Sequence, residues 1–175
     1  DSVTDTFVYT LSDGTATDTA NLVITVTGVN DTPTAQNDVG VIDEGETLTV
    51  TNGANANVSG SYDADEEHSG DLIDTSSSSH QDSDPDASPT LRISAIQPSG
   101  GSSSSVSSGS SYNSSGTSVT GTYGTLTIGA DGSYTYAAND SISGFDANET
   151  LTDTFTYTLS DEHDATDTAT LTITL

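Results

Sequence analysis

Residues 5–26, DTFVYTLSDGTATDTANLVITV, return near the other end of the chain as DTFTYTLSDEHDATDTATLTITL over residues 153–175, with 16 of 22 aligned residues identical. Two segments that share their apolar positions must solve the same packing problem twice. The copies lie 148 to 149 positions apart, the shift arising from one extra residue within residues 162–164. A period of that length is a whole domain rather than a solenoid rung. The chain is therefore expected to be a slice of a tandem array, with residues 1–29 the C-terminal strands of one repeat and residues 30–175 the next repeat in extended form. It starts without Met and shows no signal-like apolar segment, so targeting information is expected elsewhere in a longer parent, if there is any.

Both copies carry the pattern of a half-buried strand. Phe7, Tyr9 and Leu11 alternate with Thr6, Val8 and Thr10, and Phe155, Tyr157 and Leu159 alternate with Thr154, Thr156 and Thr158, the period-two signature of a strand with one face covered. Leu22, Ile24 and Val26, matched by Leu171, Ile173 and Leu175, supply the partner strand, and Ser12-Asp13-Gly14 marks the turn. Leu126 and Ile128, then Tyr134 and Tyr136, flank an Asp131-Gly132 turn and read as a hairpin. Further strands are expected at residues 39–42, at 47–51 and around Leu91, Ile93 and Ala95. No helical stripe longer than a turn appears. The expected fold is all-β, an antiparallel immunoglobulin-like sandwich of about seven strands.

Composition gives a conflicting signal. Leu, Ile, Val and Phe total 32 of 175 residues, a fraction at which high net charge ordinarily predicts disorder. The alternating strands argue the other way, and they outweigh bulk composition because they place the apolar residues on one face. Two stretches lack them: residues 52–90, which include TSSSSHQDSDPDASP, and residues 97–120, whose span 99–118 holds 12 Ser and 4 Gly. Both are expected to be loop-rich polar insertions, too polar and flexible to bury anything.

Twenty-seven acidic residues face one base, Arg92, for a formal charge of -26. Such a surface repels nucleic acid and anionic membrane, and no apolar run is long enough to span a bilayer. With no Cys in the chain, neither a disulfide nor a thiolate metal site is available. A Cys-free, acidic, Thr- and Ser-rich chain suits an extracellular protein that uses divalent cations in place of disulfides. Carboxylates crowded together repel until a hard cation sits among them, and Ca2+ takes six to eight oxygen ligands. Three places cluster such oxygens: Asn30 and Asp31 at the repeat junction, followed by Asp38, Asp43 and Glu44; Asp82, Asp84 and Asp86 at alternate positions; and Asp63 and Asp65, with Glu66 and Glu67. Asp13, Asp131 and Asp161 read instead as turn formers.

GTYGTLTIGADGSYTYAAND followed by the second copy resembles the VCBS-type repeat of large bacterial surface proteins, and GVNDTPTAQNDVGVIDEGETLTV resembles its linker and first strands. Such repeats are similar to the cadherin-like and immunoglobulin-like extender domains of RTX adhesins and biofilm-matrix proteins. The resemblance implies that Asn30 and Asp31 are the linker pair, Glu44 the acidic residue after the first strand, and Asp82, Asp84 and Asp86 the Asp-rich element before the next strand. Residues 52–120 exceed the usual module, which leaves Asp63 and Asp65 without a counterpart.

Catalysis is not expected. His68, His80 and His163 lie in polar loop sequence away from any nucleophile pattern, and the paired acids lie in solvated runs rather than the apolar pockets that raise a catalytic carboxyl's pKa. Three function classes stand: a calcium-stiffened structural extender whose partners are neighbouring copies of the same repeat; a module binding a host or biofilm glycan or protein through the Ser-rich insert near Tyr112 and Tyr123; and a filament subunit that polymerises by strand exchange of the N-terminal hairpin. Asn57, Asn113 and Asn148 sit in Asn-x-Ser/Thr patterns, which arise by chance in such a composition.

Overall fold

Thr and the β-branched and aromatic residues that dominate the alternating segments favour a pleated surface with one wet face, and the chain is all-β. The structure is a computed structural model that describes residues 2–53, 69–73, 80–86, 90–146 and 149–175. It contains two compact units, Asp1–Asn30 and Asp31–Leu175. The division falls between Asn30 and Asp31, one residue after the expected end of the first segment. Asp63 and Asp65, along with Asn57 and Asn148, lie outside the described residues.

The first unit is one hairpin, β1 (Ser2–Ser12) and β2 (Thr17–Thr27). Ser12 Oγ accepts from Gly14 N, and Asp13 Oδ1 accepts from the backbone N–H groups of Thr15 and Ala16, at 2.8 and 2.7 Å. Those bonds favour the ionised carboxylate and hold the Asp13 pKa below its usual value.

The second unit is a sandwich. Its strands are β3 (Asp38–Val41), β4 (Thr47–Val50), β5 (Arg92–Pro98), β6 (Ser104–Ser105), β7 (Thr117–Thr120), β8 (Gly124–Ile128), β9 (Tyr134–Ala138), β10 (Thr152–Ser160) and β11 (Thr166–Thr174). One sheet runs β3-β11-β10-β5-β6, the other β4-β9-β8-β7. All pairs are antiparallel except β3 with β11, which is parallel. The expected antiparallel immunoglobulin-like sandwich is thus the architecture found, with one parallel pair at its edge. The reason is topological: the opening strand of the domain lies alongside its closing strand, in register Leu171↔Asp38 to Thr174↔Val41, so the two ends are held together.

Phe155, Tyr157, Leu159, Leu171, Ile173, Ile93 and Ile96 from the first sheet meet Leu48, Val50, Leu126, Ile128, Tyr134 and Tyr136 from the second, all buried. Tyr136 and Phe155 touch edge to face with ring centroids 6.1 Å apart, a geometry that adds to simple burial. The polar insertions contribute as well, contrary to expectation. Val106 and Val119 from the Ser-rich stretch are buried, β7 pairs along β8, and Leu72 from the acidic stretch is fully buried. One apolar residue in a polar run suffices when backbone bonds fix its place: Val106 N donates to Ser94 O and Leu72 N to Gly132 O, at 2.9 and 3.0 Å. Gly132 itself has φ +85°, a left-handed turn conformation glycine adopts without strain.

Candidate metal centre

The segment at residues 82–86 is tied at both ends. Ser83 and Thr34 exchange two backbone hydrogen bonds, at 2.7 and 3.1 Å, and Asp82, almost fully buried, accepts from Gln36 N at 2.9 Å. Asp84 Oδ1 accepts from Asp86 N at 2.8 Å, closing an Asx turn. Asp86 Oδ2 accepts from Asp31 N at 3.0 Å. The linker backbone and the Asp-rich loop, expected as two separate acidic places, therefore meet in one.

The third wall comes from the hairpin of the second copy. Asp161 Oδ1 accepts from His163 N and Ala165 N, each at 2.8 Å, the same turn chemistry that Asp13 performs in the first copy. Asp161 is nonetheless almost wholly removed from solvent, at 1% relative exposure, and its carboxylate joins those of Asp84 and Asp86 with ligand atoms all within 4.8 Å of one another. Asp161 is thus a turn former, as expected, and a wall of the cluster as well. The sequence carries no signal that separates the roles, because a turn-capping Asp at this position accounts for its own presence in both copies.

Three carboxylates at such separations repel by roughly 3 kcal/mol per pair at an effective dielectric of about 20. Arg92, the sole arginine, is engaged with Asp164 at 2.7 Å. Among the described residues, Asp84 Oδ2 is buried with no hydrogen-bond partner, and a buried carboxylate oxygen in that state costs free energy that folding does not ordinarily leave uncompensated. The donor set is all oxygen and all anionic, which suits a hard divalent ion such as Ca2+ and not a soft one.

The chain matches the family described as bacterial cadherin-like domain over residues 30–175. It belongs to that family. The cadherin-like match begins one residue before the structural boundary at Asp31, and domains of this kind often bind Ca2+. A comparison of the sequence with curated proteins found no match.

The carboxylate cluster does not include the other expected ligands. Asn30 closes the first unit and Asp31 opens the second, where the backbone of Asp31, rather than its carboxylate, bonds Asp86. Glu44 Oε1 accepts from Ile142 N and so fastens the loop before β4 to the segment before β10. Asp38 is 2% exposed at the head of β3. Its Oδ2 lies 2.7 Å from the Tyr157 hydroxyl, which is also 2.5 Å from the Gln36 carbonyl. The single hydroxyl proton thus faces two acceptors. Burial pushes the Asp38 carboxyl up to about 6, against the opposing pull of Tyr157 and Ser69 hydrogen bonds. Asp153, also buried, accepts from Thr122 N, Tyr123 N and Tyr136 O–H at 2.8, 2.9 and 2.7 Å. A side chain at Gly121 would collide with that carboxylate, so the loop can close over it only as glycine. Among the described residues, these acids organise loops while Asp84, Asp86 and Asp161 form the one metal-competent group.

Proposed function

We propose that the chain is a non-catalytic extender module of a tandem-repeat bacterial surface or matrix protein, in which Ca2+ bound by Asp84, Asp86 and Asp161 locks the linker-proximal end of the sandwich. The observation that carries this reading is the carboxylate triad with its orphaned, buried Asp84 Oδ2. The mechanical consequence follows from what the triad connects. Asp86 bonds the backbone of Asp31, the first residue after the repeat junction, Asp161 sits in the turn between the last two strands, and an ion bridging them fixes where the linker leaves the domain. A flexible joint becomes a defined one. Neighbouring copies of the same repeat are the partners this design serves, in an extracellular setting where Ca2+ is abundant and disulfides are absent for want of Cys.

Calcium binding only the folded state stabilises by about 2.7 kcal/mol at a hundredfold excess over Kd. The melting midpoint is expected to rise with added Ca2+ and to fall with chelator, and Asp161→Asn, which retains an oxygen to cap the turn but loses the charge, is expected to abolish the rise. Superimposable melting curves in Ca2+ and chelator would sink the reading.

A further inference from the structure

The hairpin β1–β2 presents an apolar face with nothing in its own unit to cover it: Phe7 is 53% exposed, Tyr9 52%, Leu22 52% and Ile24 45%. Its second copy shows what such a face fits. Ten positions within residues 153–175 are buried, and nine of them carry the identical residue in the first copy, the tenth pairing Leu175 with Val26. The other five differences between the copies fall on positions that are not buried, among them Thr156 against Val8 and Glu162 against Gly14. Identity thus tracks contact with the sandwich body. Cross-strand register agrees too, Phe7↔Leu22 and Tyr9↔Ala20 repeating Phe155↔Leu171 and Tyr157↔Ala169.

We propose that β1–β2 seats a second cadherin-like sandwich body of the same build as residues 31–151, one whose own last two strands are missing from that position. A strand equivalent to β5 adds antiparallel along β1, a strand equivalent to β3 adds parallel along β2, and Asp5 receives the loop N–H groups that Asp153 receives here. Exchange among intact copies is not the driving event. Each chain holds one body and two hairpins, so trading them leaves as much apolar face uncovered as before, and the strand-exchange filament expected as one option gains nothing by forming. Nor does the hairpin fill its own chain's body. There, Ala35 N bonds Asp167, whose counterpart in the first copy is Asp18. Reaching it from Thr27 means retracing nine strand residues, roughly 30 Å, with eight residue steps that span at most about 29 Å fully extended and leave none for the reversal.

The full-length chain supplies both halves of the test. Tyr157→Asp removes the resident hairpin from its seat and leaves the seat open to β1–β2 of another copy. Val8→Cys and Gln97→Cys, both at outward positions and matching the observed Thr156↔Gln97 pair, then report the register in a chain with no other thiol. Disulfide-linked dimers and longer species are expected in the Tyr157→Asp background and are expected to vanish when Tyr9→Asp is added. A second variant keeps its own hairpin but wears the first copy's strands: Thr156→Val, Thr170→Asn, Thr172→Val and Leu175→Val. It is expected to unfold cooperatively within a few degrees of the parent. Loss of cooperative unfolding in that variant overturns the proposal, as does cross-linking that Tyr9→Asp leaves unchanged.

Discussion

The two hairpins of this chain are nearly the same sequence in the same register, yet one is a bare ribbon and the other lies at the centre of a five-stranded sheet. In the packed copy Phe155 and Tyr157 are fully buried, Asp153 gathers three hydrogen bonds and Asp161 enters a carboxylate triad. In the bare copy Phe7 and Tyr9 are half exposed and Asp13 merely caps its turn. Secondary structure is thus local in these strands, whereas burial and the gathering of the carboxylate triad come from the body. Every property that distinguishes the copies is one that the sandwich confers.

Paired substitutions break that comparison most directly. Phe155→Ala removes a ring from a closed core and is expected to cost about 3–5 kcal/mol, read as a lower midpoint in urea. Phe7→Ala is expected to shift the same transition by no more than about 0.5 kcal/mol. Equal effects would mean that the first hairpin is packed in solution against something in the same molecule.

How much of the molecule is legible in sequence follows the same division. Alternation of Phe, Tyr and Leu with Thr reveals both hairpins and the Asp131-Gly132 hairpin within a residue or two, because period two is a property of the strand itself. The parallel β3–β11 pairing is not legible, since four residues, Asp38–Val41, carry no record of which strand they meet. Nor is the core role of Val106 and Leu72, single apolar residues whose burial depends on backbone bonds from distant strands. Asp84 and Asp86 stand out by spacing, but the third carboxylate of the cluster comes from a turn some 75 residues onward in the sequence, and only folding brings it there. Asp38, grouped with the junction acids by its proximity in sequence, instead faces the core through Tyr157.

Burial of Asp38 against the packed hairpin, which outweighs the opposing hydrogen bond from Tyr157, gives that hairpin a pH response the bare one lacks. A carboxyl raised from 3.8 to about 6 binds more protons folded than unfolded between those values, so its contribution to stability falls as pH rises through that window. Above pH 6 the full cost is present, about 3 kcal/mol at 1.36 kcal/mol per pH unit. Asp38→Asn keeps an acceptor for the Tyr157 hydroxyl and removes the charge. It is expected to be more stable than the parent at pH 7.5, with the gap closing towards pH 4, measured by urea midpoints in chelator so that calcium does not contribute. A gap that stays constant across the window contradicts the assignment.

Calcium sharpens the contrast between the two turns. Asp161→Asn is expected to lose the stabilisation of about 2.7 kcal/mol that a hundredfold excess of ion over Kd provides, while Asp13→Asn, with the same turn bonds and no triad, is expected to leave the calcium-induced shift intact. The pair of variants separates charge from capping, because both substitutions conserve the capping oxygen. If both variants lost the shift, the first hairpin would share the ion and the metal would belong to the junction as a whole.

The smallest difference lies in the one loop where the copies differ in length. Glu162 accepts from Thr90 N at 2.9 Å, a backbone bond that holds its pKa below the usual value, and Asp164 pairs with Arg92. The first copy has Gly14 and Thr15 in this turn. Asp164 is largely exposed, at 83% of its side chain, and an exposed ion pair contributes about 0–1 kcal/mol because water screens it and two long side chains must be ordered. Asp164→Asn, which removes the charge and tolerates the left-handed backbone at this position (φ 64°), is therefore expected to lower stability by less than about 1 kcal/mol in dilute buffer, with the loss fading in high salt as mobile ions screen the pair in the parent. A larger loss, or one indifferent to salt, would show that the second copy's longer turn holds the Thr90 loop in place through more than charge. In that case the extra residue would itself be part of what seats a hairpin on its body.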